Sequence, residues 1–210
     1  MDIHPREGSS ETALIRVLIV CTGNICRSPL AHLTMQERLS DLEVDFQSAG
    51  TRARPGLSMT TEASNLAAEW GVNPAATSTH QSAQLTPHAI ETASLIVTMT
   101  RQQRREVVEM TPSSIGRAFT VRELARLAGA TSDQELLRTL EHSGSDSSRD
   151  LAVMLKVLAG KRGLIVTSGD PGQDDVVDPY RRSLSTYKRS AAEMSPGLLA
   201  LERLLRAILS

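Results

Sequence analysis

Aromatic residues are scarce, making up only 2% of the 210 residues. The core must therefore be built from Leu, Val, Ile, Ala and Met, and few rings are left to stack the bases of single-stranded nucleic acid. Excess charge of one sign is also missing. A formal net charge of -1 argues against a global nucleic-acid or membrane-surface role. No apolar run approaches the ~18–20 residues that span a bilayer. The stretch from Met1 to Thr12 has no apolar segment of the signal-peptide kind, so a cytoplasmic protein with a flexible leader over residues 1–13 is expected. Cysteine is limited to Cys21 and Cys26. These two lie too close in sequence to staple distant parts of a fold, and a reducing compartment keeps such thiols free. The five histidines are scattered and no second cysteine cluster completes a zinc site, so neither metal nor other cofactor is expected.

What is present reads as one α/β domain over residues 14–210, a small open parallel sheet with helices on both faces. Ile15 to Val20 is a short, β-branched apolar run, the pattern of a buried parallel strand. A turn from Cys21 to Ser28 follows, then Pro29 at the first position of a helix that reaches about Leu39. Val44 to Ser48 reads as a second strand, ended by Ala49-Gly50. Thr60 to Trp70 has helical periodicity and stops at Gly71, and Thr86-Pro87 opens a short helix. Ser94 to Met99 is a strand, Arg101 to Met110 a charged surface helix, and Arg117 to Val121 the last strand. From about 128 to 175 the character changes. Two helical patches, Glu135 to Glu141 and Leu151 to Leu158, flank a polar linker from Ser143 to Ser148, and the whole reads as a helical insertion before a late Asp-Pro loop. Arg189 to Leu209 closes the chain as a helix interrupted at Pro196-Gly197.

The segment with chemical content is Cys21-Thr22-Gly23-Asn24-Ile25-Cys26-Arg27-Ser28-Pro29, between a strand and a helix. A cysteine, five residues, then Arg and Ser describe a loop that wraps one tetrahedral oxyanion. Successive backbone N–H groups of residues 22–28 form an anion nest, and the helix that follows adds the positive end of its dipole. Arg27 offers a two-pronged guanidinium to two phosphate oxygens, which a lysine cannot match. Gly23 and Asn24 tolerate the positive φ that a tight loop demands. The same field favours the thiolate of Cys21 over the thiol, and a thiolate beside a bound phosphate is an activated nucleophile. A hydrogen bond from Ser28 would hold the sulfur ionised.

This string resembles the signature loop of the low-molecular-weight protein tyrosine phosphatases, C-x-G-N-x-C-R-S-P. Ser48-Ala49-Gly50-Thr51 resembles the family's segment after the second strand, and His80 its histidine that buttresses the loop asparagine. Val177-Asp178-Pro179-Tyr180 is similar to its late Asp-Pro segment. The resemblance covers most of the chain from Ile15 onward, outside the insertion. It implies hydrolysis of phosphotyrosine, in proteins or as small aryl phosphates, through a phosphocysteine on Cys21. Thr22 to Ser28 would bind phosphate, Arg27 would assist catalysis, and Asn24, Ser28, Ser48 and His80 would support the loop. Asp178 would be the general acid, which the chemistry requires in any case because a departing phenolate needs a proton. Asp174 and Asp175 are nearby rivals that do not precede a proline. For Cys26 the resemblance implies a reversible disulfide with Cys21, beside the plainer role of filling the underside of the loop.

The match has departures. His32 stands where the family often has Glu, Ala83 where it has an Arg after the buttressing histidine, and Arg54 near the place of a pocket-wall aromatic. Two other functions fit parts of the pattern. A small-thiol-dependent arsenate reductase would use the same loop and the same attacking cysteine, whereas a reductase with an internal thiol relay needs cysteines after Cys26 that this sequence lacks. A non-catalytic phosphate-binding module would be expected to lack the nucleophile or the acid. A nucleotide-binding P-loop is excluded, because GxxxxGK[ST] is absent.

Overall fold

The computed structural model describes residues 14–140, 146–165 and 172–209. The expected leader, residues 1–13, and residues 143–145 of the expected linker lie outside these. Four parallel strands, β1 (Ile15–Cys21), β2 (Val44–Gly50), β3 (Leu95–Thr98) and β4 (Ala118–Thr120), form one sheet in the order β2-β1-β3-β4. Because β1 is flanked by β2 on one side and β3 on the other, chain order reverses beside it. The carboxyl end of β1 therefore opens onto a crevice, the usual ligand position in such sheets. Cys21 is the last residue of β1.

Both faces of the sheet are covered, as the near-continuous apolar strands anticipate. On one face Val17 and Ile19 join a large cluster with α1 (Arg27–Arg38), α2 (Thr61–Glu69), α6 (Val121–Gly129), α8 (Ser147–Gly160) and α9 (Leu184–Leu209). On the other, Leu18, Val20 and Ile96 pack with Ile90 of α4 (Pro87–Thr92) and Val107 of α5 (Arg101–Met110). Among the described residues, the other α-helices are α3 (Pro74–Thr79), started by an Asn73 cap, and α7 (Asp133–Leu140).

Several boundaries differ from the sequence expectation. Helix α1 begins at Arg27, so Pro29 is its third residue. No hydrogen bond is lost, because N–H groups of the first turn have no intrahelical acceptor. The last strand ends at Thr120, where Thr120 and Glu123 form a reciprocal capping box that starts α6. Helix α9 begins at Leu184, not Arg189, and runs through Pro196 without interruption. The cost of the proline is offset by packing, since Leu198, Leu201, Leu204 and Leu205 are all buried, each worth about 1.5–3 kcal/mol. Gly197 serves close approach: a Cβ there would stand 2.1 Å from the Val121 carbonyl oxygen.

The region expected as an insertion carries α7 and α8. Leu151, Met154, Leu155 and Leu158 of α8 are buried in the main cluster, so this helix packs into the core. Among the described residues, no helix is long and apolar enough to cross a membrane.

Candidate active site

The loop between β1 and α1 is fitted around the sulfur of Cys21. The Asn24 N–H donates to Cys21 Sγ at 3.2 Å and the Ser28 hydroxyl at 3.0 Å. Asn24 takes a left-handed conformation, φ 55°, where a non-glycine residue is uncommon and asparagine is enriched. Its fully buried side chain holds the loop to three others. Asn24 Nδ2 donates to Ser28 Oγ at 2.9 Å and Ser48 Oγ at 3.0 Å, and Oδ1 accepts from the Ala83 N–H at 2.8 Å. The Asn24 carbonyl accepts from His80 Nε2 at 2.8 Å, which fixes the proton on that nitrogen. Burial pulls His80 below its usual range and keeps the ring neutral. The four loop-supporting residues named from sequence thus form one connected network.

His32 extends it. Its Nδ1 lies 3.2 Å from Ser48 Oγ, and burial, aided by the nearby His80, lowers its pKa from 6.5 to about 4. The departure from glutamate at this position therefore places a neutral ring against the network. Gly50, paired with Cys21 across the sheet, lets the loop settle on β2. A Cβ there would stand 2.5 Å from the Thr22 carbonyl oxygen and 3.0 Å from the Asn24 nitrogen.

Arg27 is buried, and its fork is aimed by backbone. Nη1 donates to the Val176 carbonyl at 3.2 Å, while Nη2 pairs with Asp178 Oδ2 at 2.9 Å. Nε is buried with no partner among the described residues. Nε and Nη2 are the edge that a phosphate accepts bidentately. The Asp178 side chain is 55% exposed and faces the same cavity as Cys21. Its two rivals are committed elsewhere, Asp174 to Arg126 at 2.9 Å and Asp175 to Arg101 at 3.4 Å. The segment before Asp178 is tied down by Val176 N–H to the Met99 carbonyl at 2.9 Å and Val177 N–H to Glu193 Oε2 at 2.8 Å.

The cavity over Cys21 has a volume of about 370 Å³. Cys21, Arg27 and Asp178 line it together with the apolar surfaces of Ile25, Leu57 and Tyr180. Beneath the loop, Cys26 is a free, buried thiol whose sulfur lies 3.5 Å from both Thr60 Oγ1 and the Tyr187 hydroxyl. Burial pushes the Cys26 thiol up, and likewise the Tyr187 hydroxyl.

Gln103 and Tyr187 are the contributors that the sequence reading overlooked. Gln103, in what was expected to be a surface helix, is buried. It donates from Nε2 to Thr22 Oγ1 at 3.0 Å and accepts the Met99 and Thr100 N–H groups, each at 3.0 Å. The Thr100-x-x-Gln103 spacing of a capping box was the available signal. Tyr187 had none, because it falls in the first turn of α9, before the expected start.

The sequence profile described as low molecular weight phosphotyrosine protein phosphatase matches residues 16–136. Arg27 and its loop fall inside that span, whereas Asp178 lies beyond it. A probable low molecular weight protein-tyrosine-phosphatase, EpsP, of Ralstonia solanacearum is 35% identical over 108 residues, 51% of this chain and 71% of that protein. A protein-arginine-phosphatase of Geobacillus stearothermophilus is 34% identical over 109 residues, 51% of this chain and 70% of that protein. The fold superimposes on a YwlE mutant from Bacillus subtilis with a TM-score of 0.62 at 23% identity, covering 91% of this chain and 99% of that one. Loop, sheet order and profile agree, and the chain belongs to the low-molecular-weight phosphotyrosine protein phosphatase family of cysteine-dependent phosphatases.

Proposed function

We infer that the protein hydrolyses phosphotyrosine, with Cys21 as nucleophile and Asp178 as acid and then base. The observation that carries this reading is the placement of Cys21 Sγ, held by the Asn24 N–H and the Ser28 hydroxyl, in one cavity with Arg27 and Asp178. The N–H groups of residues 22–28 and the Nε/Nη2 edge of Arg27 receive the three non-bridging phosphoryl oxygens. On binding, phosphate replaces Asp178 as the partner of Arg27 and leaves the carboxyl facing the leaving oxygen. Phosphotyrosine entering as its monoanion hands its proton to the released Asp178 carboxylate. The sulfur anion attacks phosphorus in line, the P–O bond to the phenol breaks, and that proton goes from Asp178 to the departing oxygen. The Asp178 carboxylate then takes a proton from water, whose oxygen attacks phosphorus. The S–P bond breaks, and the Ser28 hydroxyl and Asn24 N–H receive the sulfur anion. A compartment that keeps Cys21 reduced, the cytoplasm, suits this chemistry.

Phosphotyrosine is favoured over phosphoarginine by the walls. Ile25, Leu57 and Tyr180 offer apolar surface to a phenyl ring, whereas a guanidine leaving group brings N–H donors that need acceptors. Among the described residues Asp178 is the one carboxylate lining the cavity, and Arg52, Arg54 and Arg181 line it as well, a charge balance that disfavours a basic side chain. Initial rates on phosphotyrosine, phosphoarginine and phosphoserine versions of one peptide, with arsenate-dependent thiol oxidation measured alongside, test the assignment. At least about 100-fold higher kcat/KM for phosphotyrosine is expected, with no arsenate reduction. Equal or better turnover of phosphoarginine, or thiol oxidation at a comparable rate, would refute it.

A further inference from the structure

Some arginines around the site are neutralised at close range. Arg52 pairs with Glu106 at 3.0 Å, and Arg101 with Asp175 at 3.4 Å. Two that line the catalytic cavity are not. Arg54, in the loop after β2, and Arg181, in the loop after the Asp-Pro step, are both exposed, and neither has an ion pair among the described residues. Exposed arginines are commonplace. Two unpaired ones from separate loops on a single catalytic cavity, where Asp178 already has a partner, are a local excess of positive charge.

The backbone under Arg181 points the same way. Asp178 Oδ1 accepts the Tyr180 N–H at 3.2 Å, and the Arg182 N–H returns to the Pro179 carbonyl at 2.9 Å. This closes a turn with Arg181 at its third position, φ 58°, where glycine or asparagine is the ordinary occupant. A long cationic side chain is kept at that cost, with its guanidinium 5.2 Å from the centre of the Tyr180 ring. Strain of this kind is retained where surrounding structure or function requires it. The apolar wall thus carries a cation stacked on its tyrosine, and Arg54 adds a second.

We propose that Arg54 and Arg181 form a carboxylate-binding rim that selects phosphotyrosine segments flanked by Asp or Glu. The proposal rests on the phosphotyrosine reading and adds the chemistry of the flanking residues. The rim acts before chemistry, steering acidic segments to the mouth and holding a flanking carboxylate, so its effect is screened by salt.

The experiment compares kcat/KM on three phosphotyrosine peptides that differ only in having Asp/Glu, Ala or Lys on both sides of the phosphotyrosine. It is run at low and at high salt on the wild-type protein, Arg54→Gln, Arg181→Gly and the double variant. About a tenfold preference for the acidic peptide over the Ala peptide is expected at low salt, falling to about twofold at ~0.5 M salt. Each single variant should lose part of this ratio, and the double variant should bring it to about one. Arg181→Gly removes the left-handed strain, so its thermal midpoint should equal or exceed that of wild type, and a lost preference there is not lost folding. One rate for all three peptides, or a ratio that survives in the double variant, would overturn the rim. Failure to turn over any of the three would instead strike the phosphotyrosine reading itself.

Discussion

The floor and the rim of the catalytic cavity are built on opposite rules. On the floor, Asn24, Ser28 and Arg27 are at most 4% exposed, and Asn24 alone holds Ser28, Ser48, Ala83 and, through its carbonyl, His80. At the rim, Arg54, Leu57 and Arg181 are exposed, and Arg54 and Arg181 have no ion pair among the described residues. A buried polar group left without a partner costs about 1–3 kcal/mol, so the floor is a network in which each member holds the next. An exposed cation costs little to leave free, and it stays available to whatever arrives. On the reading proposed above, reaction chemistry belongs to the first region, with the half-exposed Asp178 reaching over it, and choice of substrate to the second.

Changes to the floor and to the acid beside it should be large and should be felt by every substrate. Cys21→Ser should lower turnover of p-nitrophenyl phosphate at least about 10⁴-fold, since a hydroxyl lacks the reactivity of an ionised sulfur. Asp178→Ala should slow it about 10²–10³-fold, most for poor leaving groups. If Cys21→Ser kept wild-type turnover, the floor would not be the reaction centre and the division between regions would collapse.

Asn24→Ala tests whether the network acts as a unit. It strands the Ala83 N–H and removes two donors while leaving a non-glycine residue at φ 55°. A stability loss of about 2–4 kcal/mol is expected in urea unfolding, with turnover reduced on all substrates by a common factor. A loss confined to one class of peptide would mean that floor and rim are not separate.

The smallest effect sharpens the picture through pH. His32 is held neutral in the fold, with a pKa lowered from 6.5 to about 4. Between these values the unfolded chain binds a proton that the folded chain refuses. Its contribution is therefore complete above pH 6.5 and is lost as pH falls toward about 4, by about 3 kcal/mol at most. The unfolding free energy of wild type should fall relative to that of His32→Gln as pH drops through this window. Parallel curves would remove His32 from the buried network.

The division also explains what could be read in advance. The loop from Cys21 to Ser28 was legible because oxyanion binding demands particular residue types at fixed spacing over eight neighbouring positions, a local requirement. The strands were legible because β-branched apolar runs between turns have few other uses. The sequence marked α8 as part of an insertion, but could not show that Leu151 and Leu155 are buried in the main core, because the neighbouring helices include α9, remote in sequence. Helix α9 passes through Pro196 for a like reason, since tertiary packing outweighs the local penalty.

By itself, the order of residues determined the α/β class, the anion-binding loop and the cysteine within it, since each follows from contacts among near neighbours. Only the tertiary structure decided that Asp178, and not Asp174 or Asp175, meets Arg27. It also decided that Gln103 and Tyr187 reach the loop and that Arg54 and Arg181 share one cavity. These pairs lie up to 161 positions apart. Local physics carries no information about such distances until the sheet has closed and brought the loop ends together.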